Sequence, residues 1–161
     1  EVKEVSAEVS SLSDEISVDD NAFITLRMSN NARGSIWVSS AATGGENGLK
    51  IRVYGTKGAV EWLQDDPNVL KYTELNNPTA IITRASNSVS NLSMKSSRVA
   101  AGHPEGFFEA FANIYTEFAD SIRSKKKYSS SVPSIEDGVK GIKFMFATKE
   151  SSDKNSKWIK L

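Results

Sequence analysis

Apolar and polar residues alternate with a period of two through the first half of the chain. Such alternation predicts β-strands, because successive side chains of a strand point to opposite faces of a sheet. The alternating apolar positions are Val5, Ala7 and Val9, then Ala22, Ile24, Leu26 and Met28, then Ile36 and Val38, then Leu49, Ile51 and Val53, then Val60 and Trp62. The links between these runs are too short for helical crossovers, so we predict an open, mostly antiparallel sheet of about six strands. Residues 43–48 lack the Lys-Ser/Thr of a phosphate loop, and we interpret them as a hairpin.

The second half of the chain changes to a helical period, which predicts a long helix with an aromatic stripe in the core. The residues of that stripe are Phe107, Phe111, Ile114, Phe118 and Ile122. Pro104 suits the first turn of this helix, and Arg123 with the lysines at 125–127 suits its end. A last helix is predicted to start at Ser134, with Asp137 as the acidic member of a capping box. Its apolar stripe would be Val139, Ile142 and Phe146.

Strands followed by helices indicate the α+β class, with a sheet that carries helices on one face. A length of 161 residues fits a single domain over 1–161. The helices should cover the face that carries Ile24, Leu26, Ile36, Val38, Leu49, Ile51 and Val53.

The opposite face of the predicted sheet carries the large aromatic residues Phe23, Trp37 and Tyr54, interleaved with Arg27 and Arg52. Protein interfaces are enriched in aromatic side chains and arginine. We therefore predict a homo-oligomer formed through this open face. The alternative is that these aromatics are scattered exposed residues, which are common on monomers.

The charge and cysteine content narrow the range of partners. The chain has 20 basic and 20 acidic residues, so no strong field favours nucleic acid or an anionic membrane. No apolar run approaches the roughly 20 residues that span a bilayer. The chain has no cysteine, which suits a cytoplasmic location. Because it begins at Glu1 and enters a strand at once, we expect an upstream segment to be missing.

His103 is the only histidine, which excludes a cluster of histidine metal ligands. It lies in Gly102-His103-Pro104-Glu105-Gly106, at the predicted mouth of the long helix. One reading makes His103 part of the helix cap. The other places its imidazole at a cleft, where it could hydrogen-bond a hydroxylated ligand. Glu105 and Glu109 are interpreted as favourable first-turn charges rather than as a glycosidase pair.

Three segments together resemble the Gfo/Idh/MocA oxidoreductases, the family of glucose–fructose oxidoreductase and inositol dehydrogenase. Residues 48–62 (GLKIRVYGTKGAVEW) resemble the sheet core of that family, 102–115 (GHPEGFFEAFANIY) its long helix, and 133–141 (PSIEDGVKG) the start of its last helix. The resemblance implies a glyceraldehyde-3-phosphate-dehydrogenase-like C-terminal domain. It also implies that the full-length protein oxidises a secondary alcohol of a sugar, inositol or related polyol with NAD or NADP.

The resemblance also implies what this chain lacks. Members of the family carry a Rossmann domain, a Glu-Lys-Pro motif and an Asp-x-x-x-His element, and none of these occurs here. No catalytic, cofactor-binding or metal-binding residue is therefore assigned, and His103 is assigned to substrate binding. The missing Rossmann domain is the expected partner, and the fragment alone is expected to be inactive and to bind no cofactor. The alternative function is a non-catalytic self-associating or carbohydrate-binding module.

Overall fold

The computed structural model describes residues 1–13, 17–124 and 132–161. The lysines at 125–127, predicted to end the long helix, lie outside these ranges. The strands are β1 (Val2–Ser10), β2 (Asn21–Met28), β3 (Arg33–Ser39), β4 (Lys50–Tyr54), β5 (Gly58–Leu63), β6 (Val69–Glu74), β7 (Thr79–Thr83) and β8 (Ile159–Lys160). The helices are α1 (Asn91–Ser96), α2 (Phe107–Ser124) and α3 (Ile135–Asp153). None of these helices is both long and apolar enough to cross a bilayer.

The predicted α+β class with open, antiparallel sheet structure is confirmed, but two sheets take the place of the predicted single sheet of about six strands. The described strands form two sheets of four, in the orders β3-β2-β1-β8 and β4-β5-β6-β7. Residues 43–48 therefore do not form the predicted hairpin, because β3 and β4 belong to different sheets. Gly44, Glu46 and Gly48 in this link have φ of 82°, 47° and 50°, a left-handed conformation that is typical of turns and most accessible to glycine.

The chain divides into two compact units, and a single domain over 1–161 stays a prediction. The first unit comprises Glu1–Glu46 and Pro133–Leu161, and the second comprises Asn47–Val132. The first contains the sheet of β1, β2, β3 and β8 together with α3. The second contains the sheet of β4 to β7 together with α1 and α2.

The core of the first unit lies between α3 and the central strands β1 and β2. Val5 is paired with Leu26, and Ala7 with Ile24, so these side chains share one face of the sheet. The buried members of this core are Val5, Ala7, Ala22, Ile24 and Ala147. On edge strand β3, Ile36 and Val38 are 40% and 58% exposed, because α3 packs on β1 rather than on β3. The predicted coverage of these two side chains is therefore wrong.

The packing face of α3 differs from its predicted apolar stripe. Val139, Ile142 and Phe146 are exposed, and the side chains turned toward the sheet are instead Phe144, Ala147, Thr148 and Ser151. These four share one face of a helix by their spacing. Most side chains on this face are small or carry a hydroxyl group, and the hydroxyl of Ser151 bonds to the edge of β1. The predicted capping box is confirmed: Asp137 N–H donates to Ser134 Oγ at 3.2 Å and Ser134 N–H donates to the Asp137 carboxylate at 2.9 Å.

Two serines of α3 complete the edge of β1 that β8 leaves open. β8 pairs only with Glu4 and Val5. Beyond that point Ala7 N–H donates to Ser151 Oγ and Val9 N–H donates to Ser152 Oγ, both at 2.9 Å. The Ser151 hydroxyl in turn donates to the carbonyl of Lys157 at 2.7 Å. Side chains of α3 thus satisfy backbone groups that would otherwise be buried without a partner.

The sheet of the second unit has one apolar and one polar face. Cross-strand pairing places on the apolar face Ile51, Val53, Val60, Trp62, Leu70 and Tyr72. On the polar face Glu61 forms ion pairs with Lys50 at 3.0 Å and with Lys71 at 3.1 Å. These two lysines lower the pKa of Glu61.

The helices do not bury the apolar residues of the second unit as predicted. Leu49, Ile51 and Val53 are 47–57% exposed, and no residue of α2 is buried. The aromatic stripe of α2 is therefore not core. The side-chain hydrogen bonds described between α2 and residues 96–98 are made by two residues. Arg98 donates to α2, and Asn113 of α2 donates to residue 96. The aromatic side chains of α2 remain exposed to solvent.

We expect Ser151→Ala to lower the free energy of unfolding by about 1–3 kcal/mol, since it leaves the N–H of Ala7 and the carbonyl of Lys157 without this buried partner. Urea denaturation followed by circular dichroism measures the change. Ser35→Ala, at an exposed position of β3, is the matched control and should change stability by less than about 0.5 kcal/mol. Equal effects of the two substitutions would contradict the role given to Ser151.

Candidate functional site

His103 ends a tight turn that precedes α2. Its N–H donates to the carbonyl of Ala100 at 3.2 Å, and Gly102, the third residue of the turn, has a φ of 83°. That left-handed conformation favours glycine. Pro104 follows and restricts His103 to extended backbone conformations. The histidine itself is exposed, so the turn presents an imidazole to solvent on a constrained backbone.

Arg84 lies directly after β7 and uses all three of its guanidinium nitrogens to bind the turn and the residues around it, with Nη2 contacting the turn itself. Its partners, with donor–acceptor distances, are Asn68 Oδ1 at 3.0 Å, Val99 O at 3.0 Å, Ala100 O at 3.0 Å, His103 O at 2.7 Å and Glu105 Oε2 at 2.8 Å. The Arg84 side chain is only 16% exposed. A guanidinium is the side chain suited to this task, because it presents several donors in a rigid plane.

Glu105 is the anionic partner of Arg84 and is buried, with its side chain 6% exposed. Its carboxylate accepts the N–H groups of Arg98 at 2.9 and 3.0 Å and of Val99 at 3.1 Å. The N–H of Glu105 donates to Asn68 Oδ1 at 3.2 Å. Asn68, Arg84 and Glu105 therefore connect the two ends of segment 98–105, and we call these three residues the loop clamp.

Of the two glutamates predicted to lie in the first turn of α2, only Glu109 does so. α2 begins at Phe107, so Pro104 and Glu105 precede the helix and are not in its first turn. Glu109 does lie in the first turn, as predicted, and its carboxylate accepts the N–H of Gly106 at 2.9 Å. That hydrogen bond lowers the pKa of Glu109.

Arg98 fixes the other end of the segment to α2. Its guanidinium donates to Asn113 Oδ1 at 2.6 Å, to the carbonyl of Ala112 at 2.8 Å and to Thr116 Oγ1 at 2.6 Å. Asn113 Nδ2 also donates to the carbonyl of Ser96 at 2.6 Å. Hydrogen bonds thus connect the middle of α2 to the segment that carries the His103 turn.

A cavity of about 320 Å³ lies beside the loop clamp. Its lining includes Trp62, Arg84, Glu105, Phe107 and Asn113 but not His103. Several polar atoms of this lining already bind protein groups: Trp62 Nε1 donates to the carbonyl of Pro67 at 3.1 Å, and the partners of Arg84, Glu105 and Asn113 are given above. The rings of Trp62 and Phe107 contribute to the apolar part of the lining.

The residues predicted to form an oligomer interface are only partly brought together. Phe23 and Trp37 stack in the first unit, with ring centroids 6.0 Å apart and planes 4° from parallel. They are 53% and 63% exposed. Tyr54 is also exposed but lies on β4, in the other sheet.

The described residues contain no group of three or more His, Cys, Asp or Glu side chains that could hold a metal ion. Sequence reasoning missed Asn68, Arg84 and Arg98. A single arginine after a strand carries no periodic or motif signal, and its partners here are mostly backbone groups, which any sequence provides. Glu105 was singled out, but for a role in the helix rather than in the loop.

We expect Glu105→Ala to lower the stability of the second unit by about 1–3 kcal/mol, because it removes the buried carboxylate that pairs with Arg84 and accepts the N–H groups of Arg98 and Val99. Glu74→Ala is the matched control, since Glu74 is an exposed glutamate on β6 of the same unit, and it should cost less than about 1 kcal/mol. Chemical denaturation of both variants measures the difference. A Glu105→Ala variant as stable as Glu74→Ala would refute the loop clamp.

Comparison with known proteins gives consistent matches along the chain. The sequence matches the profile of the "Oxidoreductase family, C-terminal alpha/beta domain" over residues 1–161. It is 31% identical over 148 residues to YfiI, an uncharacterized oxidoreductase of Bacillus subtilis strain 168, covering 88% of this chain and 38% of YfiI.

Solved structures match over almost the whole chain. An oxidoreductase from Sinorhizobium meliloti is 43% identical with a TM-score of 0.91, and the match covers 99% of this chain and 47% of that one. An inositol dehydrogenase homologue from Azotobacter vinelandii, complexed with NAD+, is 27% identical with a TM-score of 0.90, and the match covers 100% and 43%. The chain thus spans less than half the length of each of these relatives. The resemblance noted in the sequence is confirmed, and the chain belongs to the Gfo/Idh/MocA oxidoreductase family, whose C-terminal α/β domain it matches from end to end.

Proposed function

We propose that this chain is the substrate-side domain of an NAD- or NADP-dependent dehydrogenase that oxidises a secondary alcohol of a sugar, inositol or related polyol. The observation that carries the proposal is the similarity over the whole chain to the Azotobacter vinelandii inositol dehydrogenase homologue, which has also been solved with NADH and myo-inositol. Levoglucosan dehydrogenase structures share the fold, at 20–21% identity.

Two arginines of the second unit already have protein partners. Arg84 and Arg98, the cations beside the cavity, are bound to carbonyl, carboxylate, amide and hydroxyl oxygens of the protein. We therefore propose that the cofactor binds a Rossmann domain that precedes this chain in the full-length protein. The chain alone would then bind no cofactor and have no activity.

We propose that His103 binds a hydroxyl group of the substrate. Three features support this role: the imidazole is exposed, the backbone that carries it is constrained by Gly102 and Pro104, and the loop clamp holds the turn. An imidazole can both donate and accept a hydrogen bond, which suits a polyol hydroxyl.

We expect the full-length protein to reduce NAD+ or NADP+ with at least one of myo-inositol, D-glucose and levoglucosan, and His103→Ala to raise KM for that polyol about two- to tenfold. The reason is the loss of one polar contact, worth about 0.5–1.5 kcal/mol. Steady-state kinetics with either cofactor measure both. No oxidation of any of the three polyols would count against the proposed activity. Unchanged kinetics with reduced stability would instead favour the reading in which His103 only caps the helix.

We also propose that the protein is a homo-oligomer and that the Phe23–Trp37 pair lies in the interface. Both rings are more than half exposed and lie on the sheet face opposite the α3 core. Arg27, on the same face, lies 3.9 Å from the centroid of the Trp158 ring. Exposed aromatics beside arginine have the composition of interface cores.

We expect Trp37→Glu to convert the oligomer to folded monomers, because it places a charge in an apolar contact. Light scattering measures the mass of each protein. Val38→Glu is the matched control, since Val38 is the next residue of the same strand, is 58% exposed and lies on the opposite face. The proposal is lost if the parent is a monomer, if Trp37→Glu keeps the mass of the parent, or if Val38→Glu dissociates it equally.

A further inference from the structure

The shortest hydrogen bond of the Arg84 guanidinium is to His103 itself. Nη2 donates to the His103 carbonyl at 2.7 Å and also to the carbonyl of Ala100 at 3.0 Å. These are the first and last residues of the turn, which is closed by the bond from His103 N–H to Ala100 O. One nitrogen of Arg84 thus binds both ends of the turn.

We propose that Arg84 is a positioning residue that holds the His103 turn in the geometry required for polyol binding. This inference rests on the substrate-binding role proposed above for His103. Arg84 does not contact the substrate in this proposal, and it acts only through the backbone of the turn.

The clamp is rigid because Arg84 is itself held on two further sides. Asn68 Oδ1 accepts from Nε, and the Glu105 carboxylate lies 2.8 Å from Nη1. Water has limited access to the contacts with Asn68 and Glu105, since the side chain of Arg84 is 16% exposed and that of Glu105 is 6% exposed. The guanidinium plane cannot rotate without breaking several of its bonds at once.

Lysine cannot reproduce this arrangement, although it keeps the charge. An ammonium is a compact point charge with three donors, whereas the guanidinium reaches three carbonyls and a carboxylate in one plane. Arg84→Lys therefore preserves an ion pair with Glu105 while releasing the carbonyls of the turn. A released turn samples more conformations, and binding must then order it again, which weakens substrate binding.

The first arm of the test measures the turn directly, by amide hydrogen exchange in the full-length protein without substrate. Arg84→Lys should accelerate exchange of the His103 N–H by about tenfold or more, because opening of the turn becomes easier. Arg52→Lys is the matched control, since Arg52 is an exposed arginine on the polar face of the same unit. Unchanged exchange at His103 in Arg84→Lys overturns the proposal.

The second arm measures kinetics with the polyol, among myo-inositol, D-glucose and levoglucosan, that the wild-type protein oxidises fastest. Arg84→Lys should raise KM for the polyol by about the factor that His103→Ala gives, with kcat and the KM for the cofactor nearly unchanged. In the double variant the two effects should not add, because both act through the same imidazole. A purely structural role would instead reduce the active fraction and leave KM alone.

The outcomes separate this proposal from the function on which it rests. If His103→Ala leaves KM unchanged, the binding role of His103 fails, whatever Arg84→Lys does. If His103→Ala raises KM and Arg84→Lys does not, or if the effects add in full, the positioning role fails by itself. Should Arg84→Lys not fold, Asn68→Ala removes one anchor of the guanidinium and must show the same two changes to a smaller extent, or the proposal is overturned.

Discussion

Backbone groups that no strand or helix can pair must still find a partner when they are buried, and this constraint governs both units of the protein. In the first unit the N–H groups of Ala7 and Val9 are satisfied by hydroxyls of α3. In the second unit the N–H groups of Arg98 and Val99 are satisfied by Glu105, and Arg84 binds the carbonyls of the more exposed His103 turn. A small number of side chains, distant in sequence from the backbone groups that they bind, thus determine where α3 packs and how the His103 turn is held.

Local patterns in the sequence predicted the elements better than their packing. The alternation around Val5 and Ile24 identified β1 and β2, and the Ser134–Asp137 spacing identified the capping box, because both depend on residues close together in the chain. The aromatic stripe of α2 was read as core and is exposed. Periodicity shows which residues share a face of a helix, but it does not show what covers that face.

The candidate site shows the same limit. His103 could be singled out because the chain has one histidine and because Gly102 and Pro104 flank it. The loop clamp could not, because Arg84 and Asn68 lie far from the turn in sequence and bind it chiefly through backbone atoms. No residue pattern distinguishes an arginine that binds carbonyls from one that faces solvent. The division of the strands into two sheets could not be predicted either, because alternation identifies strands but not which strands pair.

The hydrogen bond between Ala7 and Ser151 joins residues separated by 144 positions, and this has a consequence for the order of folding. The second unit is continuous in sequence, and its strands pair with their immediate neighbours along the chain, so its sheet can form while synthesis is still in progress. The first unit is assembled from segments on either side of it. The edge of β1 stays open until α3 has left the ribosome, and the long loop between them carries an entropic cost of closure that grows only slowly with its length. During that interval β1 is a strand with one unprotected edge, which makes the nascent chain vulnerable to aggregation at β1 rather than at α3.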